Sequence, residues 1–206
     1  DVNSIAPLIT SNVNPNFENK IKRTINSWVS TGVNFADIED PTKPITSIVM
    51  DDHYQVSIDW KNQFYIDASS PYGTVSGSGW YDEGDVVVAS INQQTYDLGV
   101  AGTRLFFDGW KGDEISSGVN IQVPLDGPKK IEGTWKKQYQ LTVNSDYGSP
   151  TGSGWYAEGD LASFGTTKTR EPAGIWNQQI FQGWVGDSES TSLTGTILMN
   201  GPKTIS

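Results

Sequence analysis

Few side chains in this chain can do chemistry. There is one histidine, His53, and no cysteine. A Ser-His-Asp relay would have to run through His53, which stands in the string MDDHYQ and reads as an exposed turn residue. Zinc takes Cys and His ligands and finds too few of them here. A carboxylate pair for glycoside hydrolysis can be drawn from Asp82, Glu83 and Asp85. Glu83 and Asp85 recur as Glu158 and Asp160, whereas Asp82 becomes Ala157. Doubling of that kind suits a turn built twice better than an active site. Asp113 and Asp187 read as turn caps through Asx hydrogen bonds rather than as calcium ligands. No catalytic residue, metal site or cofactor is expected. The remaining candidates are aromatic: Trp80, Tyr81, Trp110, Trp155, Tyr156 and Trp184. They read first as core-filling rings and second as faces on which a carbohydrate ring stacks.

These residues sit in a repeated text. WKNQFYIDASSPYGTVSGSGWYDEGDVV (60–87) matches WKKQYQLTVNSDYGSPTGSGWYAEGDLA (135–162) without a gap, a spacing of 75 residues. FFDGWKGD (106–113) matches IFQGWVGD (180–187), and PLDGPKKI (124–131) matches LMNGPKTI (198–205), at a spacing of 74. A period of this length with this much identity predicts two copies of one module. Alternating runs such as FYIDAS and YQLTVNS, punctuated by SPYG, DEGD, AEGD, WKGD and LDGP, predict short strands and turns. DVVVASI reads as a more fully buried strand. The expected fold is all-β: two tandem small sandwich- or barrel-like modules, residues 45–134 and 135–206, behind an N-terminal arm, residues 1–44.

The arm has three expected parts. Residues 3–13 (NSIAPLITSNV) form a strand with apolar anchors Ile5, Leu8, Ile9 and Val13. Residues 15–31 form a helix, because Phe17, Ile21, Ile25, Trp28 and Val29 fall on one helical face. Asn14 caps it, Pro15 opens it and Gly32 ends it. Residues 37–44 form a polar linker. The last module stops in a shortened strand, which predicts an acceptor edge at Ile197, Met199 and Ile205. Asp1 in place of a methionine is read as the mark of a processed chain.

The string Y-x-L-T-V-x-S-x-Y-G-x-P-x-G-x-G-W-Y, followed by F-x-G-W-x-G-D and M-x-G-P-K-x-I, resembles the divergent internalin-B-type, or bacterial repeat, modules. They recur in secreted and surface proteins of bacteria and archaea, including thermopsin-like chains. The resemblance covers roughly residues 45–206. It implies extracellular, non-catalytic spacer or assembly domains and supplies no catalytic residue.

Composition agrees with that class. Net charge is −10 with only 18% charged residues, which argues against a nucleic-acid partner. No apolar run approaches the length of a membrane span. Together these features predict a cell-surface structural protein whose copies join head to tail by strand donation. The alternatives are a carbohydrate-binding adhesin and a piece of a larger secreted multi-repeat protein. Expected partners are copies of itself, other surface proteins or glycans.

Overall fold

The computed structural model describes residues 4–9, 20–31, 37–172 and 177–206. All regular structure among them is β. The first strands are β1 (Ser4–Ile9), β2 (Ile21–Thr31), β3 (Ile45–Met50), β4 (Gln55–Ser69), β5 (Val75–Ser76) and β6 (Gly79–Asp82). Then come β7 (Val86–Ile91), β8 (Thr95–Asp97), β9 (Thr103–Gly112), β10 (Asn120–Pro124) and β11 (Lys129–Val143). The last are β12 (Gly154–Ala157), β13 (Leu161–Gly165), β14 (Arg170–Pro172), β15 (Gln178–Ile180), β16 (Thr194–Leu198) and β17 (Lys203–Ile205).

The chain divides into two compact units. Unit 1 takes the described residues up to Ser70, Val75–Ile91 and Trp110–Glu132. Unit 2 takes Pro71–Thr74, Asn92–Gly109 and the described residues from Gly133 to Ser206. These boundaries do not follow the sequence period, since Asn92–Gly109 belongs to unit 2.

In unit 1 the organising strand is β4. β2 runs antiparallel to it from Ile21↔Phe64 to Thr31↔Gln55. β6 pairs antiparallel with Gln63–Ile66, and the first residues of β11 pair parallel with Ile66–Ser69. β7 lies between β10 and β5, and β1 pairs with β3. Ile66, Ala89, Trp110, Val123 and Ile131 are buried in this unit. In unit 2 the organising strand is β11. β12 pairs antiparallel with Gln138–Leu141, and β17 pairs parallel with Leu141–Val143. β9 adjoins β11 and carries β8, while β13 pairs with β16 and β14 with β15. Leu141, Phe164, Trp184, Ile197, Met199 and Ile205 share one buried cluster here.

The helix expected over 15–31 is corrected to strand over Ile21–Thr31; residues 15–19 of that expectation lie outside the described residues. Ile21, Thr24, Ile25, Val29 and Thr31 are β-branched and fit a pleated surface better than a helix. The helical spacing came from a bulge. The register shifts between Ile25 and Ser27, so one extra residue enters the strand and the alternation of faces slips by one. Ile25 and Trp28, three apart, are thereby both buried. Trp28 is held further by its indole N–H donating to the Lys43 carbonyl at 2.9 Å and its backbone N–H donating to the Pro41 carbonyl at 2.7 Å. The expected linker at 37–44 is a bonded turn: Ile38 bridges Ile48, and the Asp40 N–H donates to Thr46 Oγ1. β7 is also less buried than its sequence suggests. Val86 and Val88 point outward while Ala89 and Ile91 are buried, the alternation of a sheet with one covered face.

Candidate functional site

The two Gly-Ser-Gly-Trp-Tyr phrases fold by the same bonds. The Ser78 hydroxyl accepts from the Ala68 N–H at 3.1 Å and donates to its carbonyl at 2.8 Å. Ser153 does the same with Val143, at 2.8 and 3.3 Å. The Tyr81 hydroxyl donates to the Gly77 carbonyl at 3.2 Å, and that of Tyr156 to the Gly152 carbonyl at 2.8 Å. Both tyrosine rings are half-buried.

The glycines ahead of these serines are fixed by close approach. Gly77 has φ +97°, and a Cβ there would lie 2.7 Å from Ala89 Cα. Gly152 has φ +106°, and a Cβ would lie 2.5 Å from the Ser163 carbonyl oxygen. Only glycine combines that dihedral with so near a neighbour.

The tryptophans fall into two classes. Trp110 and Trp184 are 2% and 3% exposed, and their indole N–H groups donate to the Val119 and Leu193 carbonyls, each at 3.3 Å. They are core rings and present no face to a sugar. Trp80 and Trp155 are half-buried, and each lies under a cation. Lys22 Nζ stands 4.9 Å from the Trp80 ring centre and the Arg104 guanidinium 4.2 Å from that of Trp155. The same register sets both cations. Lys22 is opposite Gln63 across β2 and β4. Arg104 Nε donates to the Gln138 side-chain oxygen at 2.9 Å, and Gln138 is Gln63 displaced by one period. Burial lowers the Arg104 pKa. A cation over an aromatic face contributes about 0.5–2 kcal/mol, more as water is excluded. The sequence reading does not anticipate Lys22 or Arg104, because the pairing that brings each to its ring is long-range.

Beside Trp155 unit 2 has an open cleft lined by Tyr96, Asp97, the 99–103 turn, Arg104 and Trp155. It offers two aromatic rings, one cation and one carboxylate.

The carboxylates close turns. Asp85 Oδ2 accepts from the Asp82 N–H at 3.0 Å and Asp160 Oδ2 from the Ala157 N–H at 2.9 Å. Asp113 and Asp187 each accept, at 2.6 Å, from the N–H of Lys130 and Thr204. Asp82 is held below the ordinary carboxylate range by the Lys61 ammonium at 2.6 Å and the Gln63 amide. Glu158 is held below it by the Tyr139 hydroxyl at 2.8 Å, aided by Lys137. His53 is fully exposed, 3.7 Å from Asp52. Among the described residues no three His, Cys, Asp or Glu side chains converge as a metal site.

Of the expected donor residues, Ile5, Leu8 and Ile9 lie on β1, which pairs with β3 of its own chain; Val13 lies outside the described residues. Of the expected acceptor residues, Ile197, Met199 and Ile205 all point into the unit's own core. The backbone edges of β17 are both used. β11 takes one side, and the Val185, Gly186 and Asp187 segment takes the other.

No helix among the described residues is long and apolar enough to cross a membrane. No protein-family profile, no curated protein and no solved structure matches this chain.

Proposed function

We propose that this chain is a non-catalytic structural protein of a cell surface, built from two copies of one β module, whose copies join head to tail by adding strand β1 to a neighbour. The observation that carries the proposal is the face that β1 and β3 turn outward. Ile5 is opposite Val49, and Ile9 is opposite Ile45. All four are exposed, Ile5 by 72% and Ile9 by 68%. The other face of this ribbon holds Ala6, Leu8, Thr46 and Ile48, and Ile48 is buried. A strand apolar on both faces is the pattern of a strand inside a larger assembly, and a two-stranded ribbon alone is marginal. β1 is therefore a strand that can be released to a neighbour or covered by one. The extracellular location is supported by the resemblance to bacterial repeat modules and by a share of charged residues of only 18%.

Negative-stain electron microscopy with light scattering tests this on the full chain, on the chain lacking residues 1–13, and on Ile5→Asp/Ile9→Asp. Fibres from the full chain and monodisperse particles from both variants are expected. A full chain that stays monomeric at high concentration would remove the assembly reading.

The cleft at Tyr96, Arg104 and Trp155 favours a second reading, a glycan-binding adhesin. Glycan-dependent protection of Trp155 from iodide, lost in Tyr96→Ala, would put that reading first.

A further inference from the structure

We infer that the cavity between Tyr147 and Phe181 is a seat for a tryptophan carried on the opening strand of a further module of this same type. The inference rests on the two-copy reading of the modules and is independent of strand donation by β1.

The warrant is an occupied counterpart within unit 2. There, Trp135 on β11 is wedged between two rings. Its centre lies 5.9 Å from that of Tyr72 and 5.4 Å from that of Phe107, edge to face in both cases. Its strand is fixed alongside β9 by the Gln140 N–H donating to the Gly102 carbonyl at 2.9 Å and the Thr134 hydroxyl donating to the Gly109 carbonyl at 2.9 Å. Lys136 pairs with Asp108 at 2.8 Å, and Arg104 with Gln138 at 2.9 Å.

One period on, the two rings and the glycine of the receiving side recur. Tyr72, Phe107 and Gly109 become Tyr147, Phe181 and Gly183, and all three line one cavity. β8 and β9 pair with Thr95 opposite Phe106, and β14 and β15 pair with Arg170 opposite Ile180, the same residues displaced by one period. The Phe107 N–H donates to the Gln94 carbonyl at 2.8 Å, and the Phe181 N–H to the Thr169 carbonyl at 3.0 Å. β9 has β8 on one side and β11 on the other, whereas among the described residues β15 has β14 alone. Tyr147 is 45% exposed and Ile180 49%. The occupant is thus specified in detail: an extended strand beside β15 in the place that β11 takes beside β9, with a Trp between the two rings and a Thr just before it. The Lys that follows meets Gln182, which stands where Asp108 stands in the occupied seat, so the ion pair there becomes an ion–amide hydrogen bond.

The test appends the eleven residues GTWKKQYQLTV, a copy of 133–143, directly after Ser206 of the full chain. Tethering keeps the effective concentration of the strand in about the millimolar range. Amide exchange at Gln178, Ile180 and Gln182 is expected to slow roughly tenfold or more relative to the unextended chain. The slowing should vanish when the tail's tryptophan is replaced by alanine, and again in Tyr147→Ala, whose exposed ring can be removed without unfolding the unit. Unchanged exchange in the extended chain would overturn the inference. So would slowing that survives loss of the tail's tryptophan, which would mean an edge accepting any strand. Because the tail experiment leaves residues 1–13 intact and reads exchange rather than fibres, its failure is distinguishable from failure of the assembly reading.

Discussion

Gly77→Ala tests why the Gly-Ser-Gly-Trp-Tyr phrase is written with glycine first. Two costs apply. Alanine at φ +97° loses about 1–2 kcal/mol to the left-handed backbone, of which about 0.4–1 kcal/mol returns through a stiffer unfolded chain. The new methyl also meets Ala89 Cα at 2.7 Å, Ala89 Cβ at 2.9 Å and the Val88 carbonyl oxygen at 3.0 Å. Two of these are backbone atoms of a paired strand and the third is the Cβ fixed to it, so none can swing aside and overpacking adds about 1–3 kcal/mol. Gly84→Ala separates the two effects. Gly84 has φ +89°, and nothing lies within 4 Å of its would-be Cβ, so it carries the first cost alone. Both glycines belong to unit 1. Urea unfolding, with amide exchange at Ile66 and Ala89 reporting that unit, should place Gly77→Ala about 1–3 kcal/mol below Gly84→Ala. With an m-value of about 1–3 kcal/mol/M, that is a midpoint difference of about 1 M. The same contrast should hold in unit 2 between Gly152→Ala, facing the Ser163 oxygen at 2.5 Å, and Gly159→Ala, facing nothing. Equal losses within each pair would refute close approach as the reason for the first glycine.

Trp184→Ala should destabilise unit 2 by about 3–5 kcal/mol, far more than Trp155→Ala, as measured by the same unfolding assay; similar losses would contradict the division into core and surface rings. Arg104→Ala should uncover Trp155 and raise iodide quenching of its fluorescence, while Lys22→Ala should do so at Trp80; no change in either would mean that the cations do not shield the rings. The Thr42 hydroxyl and the Lys43 ammonium hold Asp40 at about 2, against an ordinary 3.8. Its folded pKa is lowered, so its contribution is present above about pH 4 and is lost as pH falls toward 2; carboxyl NMR shifts of Asp40 should titrate in that window and return toward 3.8 in Thr42→Val.

The all-β class and the turns around the two repeated phrases were legible because their signals are local. Gly84 and Gly159 have positive φ with open space around them, and a tetrapeptide is enough to reveal such a turn. The buried roles of Trp110 and Trp184 were legible as the first of two readings. Lys22, Arg104 and the Tyr147–Phe181 cavity were not. Each depends on which strand lies beside which, and no window of sequence carries that information.

β2 is the clearest case. Its own periodicity reads as a helix, yet its place is set by β4. β11 has β9 beside it, with Arg104 bonded to Gln138 and stacked on Trp155. β4 has β2 beside it, with Lys22 opposite Gln63 and stacked on Trp80. β4 and β11 thus each have a neighbour that pairs with them and covers with a cation the tryptophan of the short strand on their other side, Trp80 on β6 and Trp155 on β12. The neighbour's sequence differs between the two places, RLFFDGW in one and IKRTINSW in the other, apart from the cation and a Trp six residues after it. The fold therefore specifies the neighbour by what it must supply: an extended backbone, apolar side chains at the buried positions and one cation opposite the glutamine. Residues 21–31 meet those conditions with a bulge at Asn26 that brings Ile25 and Trp28 into the interior, and that bulge is what gave a strand the spacing of a helix.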